Sequence, residues 1–386
     1  MLSRSLCVLA ALVLFSGCAR AVDDPMAAIG RKIFFDVRMS ASGRLACATC
    51  HDPRYAYGPP PGHAIALGGP KGDRQGTRAV PSLRYARWTP AFEREHRFLD
   101  GDINPVGGYT WDGRAASIRE QALIPLLAPN EMANASPREV VYRLRRSPYA
   151  AQVRQVFGDP VYRDDERCFE AIVIALDAFM STPEEFFPFS SRYDAFLRGD
   201  IELTEQEERG AALFKDVHKG NCATCHVATR IGGLPPLFTD FDFADVGVPR
   251  NARISANADP AYFDLGLCGP LRADLRDERR YCGFFRAPTL RNAAIRDAFF
   301  HNGAIGSLRD VLHFYVLRDL RPELFYPRDD VGRILKANDL PPGVPYNLDR
   351  DPPLDRAPGD APALSEAEID DILAFLRTLT DADVGR

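Results

Sequence analysis

The sequence predicts a mainly α-helical chain of two similar domains with long irregular loops, and three observations carry that reading. The segment Gly30-x-x-Ile33-Phe34-x-Asp36-Val37 returns as Gly210-x-x-Leu213-Phe214-x-Asp216-Val217, and both copies lead into the pentapeptide Cys-Ala-Thr-Cys-His, at 47–51 and 222–226. Helix-start signals recur while alternating strand patterns are scarce. Stretches rich in Pro, Gly and Asp, at 52–81, 228–284 and 341–363, read as loops whose length is unusual unless they line a site or wrap a cofactor. One unit is therefore expected twice, as an N-terminal domain over 22–199 and a C-terminal domain over 200–386.

In chain order, residues 1–21 combine Arg4, an apolar run from Leu6 to Phe15 and Ala19-Arg20-Ala21, the three parts of a secretory signal peptide with a small-x-small cleavage site. The run is too short for a permanent bilayer span, and no later stretch reaches that length without charges. The mature chain is expected to be soluble in the periplasm. Cys18 after Phe15-Ser16-Gly17 also resembles a lipoprotein cleavage site, with an unusual Phe at its first position, so membrane attachment is expected only if Cys18 is lipidated. Gly30 to Val37 reads as the end of an amphipathic helix, Ser136-Pro137-Arg138-Glu139 as a capping box with proline at the first helical position, and Thr204-x-x-Glu207 as the start of the second copy. Ser365-x-x-Glu368 opens a helix with Ile369, Ile372, Leu373 and Leu376 on one face.

Composition is that of a globular protein, 46% hydrophobic with net charge -5, which indicates neither nucleic acid nor an acidic membrane surface as partner. Of the nine cysteines, removal of the signal leaves seven, and the pentapeptides take four. Cys168, Cys268 and Cys282 remain; an oxidising compartment permits a Cys268–Cys282 disulfide, and two buried or free thiols are the alternative.

Cys-x-x-Cys-His is the spacing that attaches c-type haem. Two thiols must reach the two vinyl groups of one porphyrin while the next side chain, an imidazole, turns under the iron. A redox dithiol or half a zinc site would use Cys-x-x-Cys without needing that histidine, and two near-identical copies argue against both. Two covalently bound haem c groups follow, attached at Cys47 and Cys50 and at Cys222 and Cys225, with His51 and His226 as proximal iron ligands. The domains are then cytochrome c-like.

Further words match in order along nearly the whole mature chain: Gly30-Arg31-Lys32-Ile33-Phe34-Phe35-Asp36, Trp111-Asp112-Gly113-Arg114, Gln121-Ala122, Pro125, Asn130-Glu131-Met132, Pro288-Thr289-Leu290-Arg291-Asn292, His301-Asn302-Gly303 and Leu308 to Tyr315. With these the chain resembles the bacterial diheme cytochrome c peroxidases, and among them the MauG-like branch. The resemblance implies that the N-terminal haem reacts with hydrogen peroxide, that the C-terminal haem stores or relays electrons, and that a high-valent iron state is shared between them. Trp111 matches the tryptophan between the two haems, Glu131 the catalytic glutamate, Gln121 the residue that orients peroxide or water, and Pro125 the residue that shapes the distal pocket.

The methionines are Met1, Met26, Met39, Met132 and Met180, so the half carrying the second haem has none and a His/Met haem is not expected there. At the family's methionine position stands Tyr315, where MauG-like proteins carry tyrosine, and the resemblance implies Tyr315 as the distal ligand of the second haem iron. The alternatives are a packed helical tyrosine or His313 as ligand, and two residues apart on a helix only one of the pair can face the iron. Where conventional relatives have a displaceable distal histidine above the first haem stands Leu67, with His63 nearby in Pro59-Pro60-Pro61-Gly62-His63. An open first haem follows, with His63 the alternative ligand.

Two departures bear on cofactors and partners. The family's calcium-binding asparagine is replaced by Ala79, leaving calcium uncertain, since backbone carbonyls and water could still hold it. MauG's surface tryptophan, six residues before its second haem histidine, is replaced by Gly220, which weakens a role in maturing methylamine dehydrogenase. The expected partners are hydrogen peroxide and a small redox donor, a cytochrome c or cupredoxin, or else a protein substrate whose Trp or Tyr side chains are oxidised. A non-catalytic diheme electron-transfer cytochrome is the remaining alternative.

Overall fold

The computed structural model describes residues 24–98, 101–230, 232–342, 344 and 347–385. The expected signal peptide and Cys18 lie outside the described residues. Helices dominate, and the strands form three short two-stranded antiparallel pairs, the longest joining Glu93–Arg97 to Ile103–Val106.

Among the described residues four hydrophobic clusters form, and the two largest organise the helices. The first gathers Ile33, Phe34, Leu126, Leu144, Ile172 and Phe179 from the helices Pro25–Phe35, Ile118–Leu127, Pro137–Arg145 and Asp165–Met180. The second gathers Phe214, Leu312, Ile369, Ile372 and Phe375 from the helices Glu205–Lys215, Leu308–Leu317 and Glu366–Arg377. Tyr193 of the helix Arg192–Arg198 also packs in the second core, which therefore draws on residues before 200.

The capping boxes at Thr204 and Ser365 form as the sequence predicts. At Ser136 only half of one forms. Ser136 accepts from the Glu139 N–H, but the Glu139 carboxylate accepts from Ala135, one residue further back.

The sequence repeat is a repeat of helix crossings. A Cβ placed on Gly30 would stand 1.8 Å from the Ala175 carbonyl oxygen, and one on Gly210 would stand 1.9 Å from that of Asp371. Glycine lets Pro25–Phe35 lie directly on Asp165–Met180, and Glu205–Lys215 on Glu366–Arg377. Beside each crossing an aromatic pair meets edge to face, Phe34 with Phe179 at 5.4 Å and Phe214 with Phe375 at 5.3 Å. Gly210→Val is expected to destabilise the holoprotein by about 1–3 kcal/mol or more, the range for overpacking a close contact. Denaturant midpoints equal to wild type would disprove this account of the glycine.

The repeat extends beyond the sequence match. Pro81-Ser82-Leu83-Arg84-Tyr85 and Pro288-Thr289-Leu290-Arg291-Asn292 follow one backbone path, ending at φ 63° in Tyr85 and 62° in Asn292. The Ser82 hydroxyl donates to the Ala56 carbonyl and the Thr289 hydroxyl to that of Leu237, each at 2.6 Å. The loops Tyr109–Ala115 and Phe299–Ile305 are each closed by an antiparallel bridge and followed by a serine-capped helix, with Ser117 and Ser307 as caps. These loops are exchanged between halves: Ala79 N–H donates to the His301 carbonyl at 2.7 Å, and Arg286 N–H to the Trp111 carbonyl at 2.9 Å. The halves are further tied by buried Arg84, which pairs with Asp381 at 2.9 Å, and by Tyr85, whose hydroxyl donates to Asp381 at 2.6 Å. Cys268 and Cys282 are disulfide-bonded, and Cys168 is a free buried thiol.

Candidate functional site: two related histidine clefts

Each pentapeptide ends a tight helical turn, at Cys47–Cys50 and at Cys222–Thr224. The imidazoles that follow are held alike: His51 donates from Nδ1 to the Tyr57 carbonyl and His226 from Nδ1 to the Phe238 carbonyl, both at 3.0 Å. That bond places the proton on Nδ1 and leaves Nε2 as a lone-pair donor for a metal. Burial keeps both rings neutral, pushing His51 down to about 4 and lowering His226.

The thiols have the wrong environment for dithiol redox chemistry, which needs a lowered pKa. Burial pushes Cys47 and Cys222 up to about 12 and Cys50 to about 11, and neither pair is bonded internally. The donor sets also suit zinc poorly. Among the described residues the grouping able to hold a metal ion is Cys225 with Asp240 and Asp242, without Cys222 or His226. Two neutral thiols beside a histidine with free Nε2, in a cleft, fit covalent haem.

The second cleft is lined by Cys222, Cys225 and His226 together with Tyr315, Leu312 and Val316. Burial raises the Tyr315 phenol above its usual range. His313 points elsewhere, its Nε2 lying 3.0 Å from Glu366 on the protein surface. The two serine-capped helices show what corresponds to Tyr315 in the first half: counting from Ser117 and from Ser307, Pro125 and Tyr315 occupy the same place. A proline side chain has no donor atom.

On the first side, Gln121 and Pro125 are one helical turn apart on one face. Glu131 follows in the turn after that helix, where its carbonyl accepts from Gly69 N–H at 2.8 Å. Gly68 makes the fit close, since a Cβ there would stand 2.2 Å from the Asn130 carbonyl. The Glu131 side chain is solvent-accessible, yet the chain packs densely enough around its carboxyl to desolvate it. Desolvation raises its pKa against the pull of Arg114, and its charge acts on Cys47 and Cys50. Leu67 has 54% of its surface exposed and carries no donor atom, and His63 is exposed with Nδ1 on the Pro61 carbonyl.

Trp111 lines the second cleft and donates from Nε1 to the Ala79 carbonyl at 2.7 Å, which ties it to the first half's loop. Where calcium was left open, Ala79 thus has its carbonyl on an indole, and the preceding Arg78 guanidinium sits between Asp112 at 2.8 Å and Asp264 at 2.6 Å. Gly220 lies against the Leu213 carbonyl beside Cys222, too close for a side chain. Sequence reasoning missed the carbonyls of Tyr57 and Phe238 that fix the imidazoles. The repeated Pro-Ser/Thr-Leu-Arg at 81–84 and 288–291 was the available signal, since Leu83 and Leu290 donate to those same carbonyls.

A duplicated helical fold with two Cys-x-x-Cys-His clefts and exchanged loops between them defines a di-haem oxidoreductase of cytochrome c type. The comparisons agree: the family model described as di-haem cytochrome c peroxidase matches residues 24–202. The methylamine utilization protein MauG of Paracoccus denitrificans is 35% identical over 94% of this chain and 90% of its own. The cytochrome c551 peroxidase of Pseudomonas aeruginosa is 27% identical over 81% of this chain and 78% of its own. The crystal structure of the diheme peroxidase BthA from Burkholderia thailandensis superposes with a TM-score of 0.83 at 38% identity, covering 94% of this chain and 87% of that one. This chain belongs to the di-haem cytochrome c peroxidase family and is an oxidoreductase of the peroxide-reducing class. Among the described residues no helix is long and apolar enough to cross a membrane.

Proposed function

We propose that this chain is a periplasmic peroxidase whose two haem c groups are attached at Cys47 and Cys50 and at Cys222 and Cys225, with His51 and His226 as proximal ligands. Tyr315 would offer a phenol oxygen to the iron of the second haem, whereas Pro125 at the matching place would offer none to the first, leaving that site free for hydrogen peroxide. The observation that carries this reading is the equivalence of Pro125 and Tyr315 in the repeat, an oxygen donor at one cleft and no donor at the other. When bound, the haems supply the electrons that cleave the O–O bond. Glu131 then takes one proton from hydrogen peroxide and returns one to the departing oxygen, Gln121 orients the substrate, and Trp111 links the two sites. Electrons from a small redox protein close the cycle. We include no calcium ion, because Arg78 already supplies a fixed positive charge beside Ala79. The domain division near residue 200 and export by residues 1–21 are part of the same proposal.

The test is to add hydrogen peroxide to the fully oxidised protein and follow its haem spectrum and spin states. A reaction without prior reduction is expected, since leucine at position 67 has no donor atom and His63 is engaged with the Pro61 carbonyl in an exposed loop; a strict need for half-reduction would sink the proposal. His63→Ala is expected to leave the spin state of the first haem unchanged, and conversion from low to high spin would identify His63 as a ligand. Oxidation of a partner's side chains is the second reading, favoured by the 35% identity to a methylamine utilization protein and disfavoured by Gly220. A dedicated substrate protein encoded beside this chain would decide for it.

A further inference from the structure

Arginines buried inside this protein are as a rule neutralised. Arg78 lies between Asp112 and Asp264, Arg84 pairs with Asp381, and Arg291 with Asp194 at 2.9 Å. Among the described residues two largely enclosed arginines depart from the rule, one lining the cleft of His226 and one beside His51.

Arg286 lines the second cleft together with His226 and Trp111. Its Nη1 donates to the Thr89 hydroxyl at 3.1 Å, and its Nε is buried without a hydrogen-bond partner. Asp112, whose charge reaches it, is already held by Arg78 and Arg114. Arg296 crosses from the second half to the first: its Nη2 donates to the Val80 carbonyl at 2.8 Å, and its Nη1 would lie 3.0 Å from a Cβ on Gly58. Val80 and Gly58 adjoin Pro81 and Tyr57, the backbone that surrounds the His51 imidazole. The neighbouring Asp297 accepts from Gly62 N–H at 2.6 Å, and its charge reaches Arg296 without forming an ion pair with it. Among the described residues neither arginine forms an ion pair, and burial pulls both guanidinium groups down to about 10, whereas carboxylate partners raise Arg78, Arg84 and Arg291.

A guanidinium enclosed without an anion is costly unless a ligand brings one. A planar five-donor fork selects carboxylate or phosphate, and each haem carries two propionate carboxylates. We propose that Arg286 and Arg296 are the propionate-binding residues of the second and first haem respectively. The inference rests on the covalent haem reading. It makes the first haem a cofactor held by both halves, attached at Cys47 and Cys50 but charge-paired by Arg296 of the second half.

The test uses the holoprotein with haem carboxylates labelled by carbon-13 and infrared difference spectra recorded between the oxidised and reduced forms of each haem. Intact mass comes first: fewer than two haem adducts on wild type overturns the haem reading itself. With both haems present, Arg296→Gln is expected to shift the carboxylate band of the first haem and lower its potential, leaving the second haem unmoved, and Arg286→Gln to do the converse. The Lys variants should restore the potentials, which depend on charge, but not the band positions, which depend on the fork. Bands that stay put, or a shift at the wrong haem, overturn the assignment. If the Gln variants do not fold, wild type still decides: guanidinium-paired propionates stay ionised below the ordinary carboxylic range, and protonation within that range refutes the pairing.

Discussion

Tyr315→Met is expected to convert the second haem into a His/Met centre and raise its potential by roughly 0.1 V or more, a modest part of the about 0.8 V over which axial ligands set haem potentials. Thioether sulfur stabilises Fe(II), whereas an anionic phenolate stabilises higher oxidation states. Tyr315 lines the cleft with His226, and methionine is a good helix former at that place in Leu308–Leu317. The variant should still bind peroxide at the first haem but store the second oxidising equivalent less readily, so half-reduction should become useful to it. Spectroelectrochemistry checks this directly. If the ferric spectrum and both potentials are unchanged, Tyr315 is not on the iron. His313 would then need to leave Glu366 to serve as ligand.

Glu131→Gln is expected to slow peroxide cleavage by about 100-fold or more, the span usual for general acid–base catalysis, while haem content and proximal ligation survive. Because burial raises the Glu131 pKa, the wild-type rate should fall on acidification at a pH above the ordinary carboxylate value, and the Gln variant should lose that limb. The stability sign runs the other way. A carboxyl whose folded pKa lies above its unfolded pKa favours folding most when protonated, below the unfolded pKa, and that advantage is lost as pH rises through the folded pKa. At neutral pH the ionised Glu131 therefore costs stability, and the Gln variant should be at least as stable as wild type. Loss of rate with loss of stability would make Glu131 structural, and unchanged turnover in a step limited by peroxide chemistry would remove it from the mechanism.

The haem motifs were legible because their chemistry is local. Two thiols and an imidazole must fall within five consecutive residues, and the chain delivers them twice, at Cys47 to His51 and Cys222 to His226. Helix caps at Thr204 and Ser365 were legible for the same reason, a side chain satisfying a backbone group three residues on. At Ser136 the box is completed one residue early, the Glu139 carboxylate accepting from the Ala135 N–H at 2.8 Å.

What the sequence by itself determined is therefore the inventory: a duplicated unit, two attachment sites, and a second half without methionine but with Tyr315; that Tyr315 and Pro125 stand at matching places came from the two serine-capped helices. Tertiary structure decided which groups those residues meet. It turned Tyr315 into the cleft and His313 out to Glu366, brought Gly69 onto Glu131, and exchanged loops so that Ala79 meets Trp111 and His301. It also set Arg296 beside His51, far apart in sequence. The reason is range: attachment and capping are satisfied within one turn of chain, whereas desolvation and charge pairing depend on whatever distant segment packs alongside, which no local pattern records.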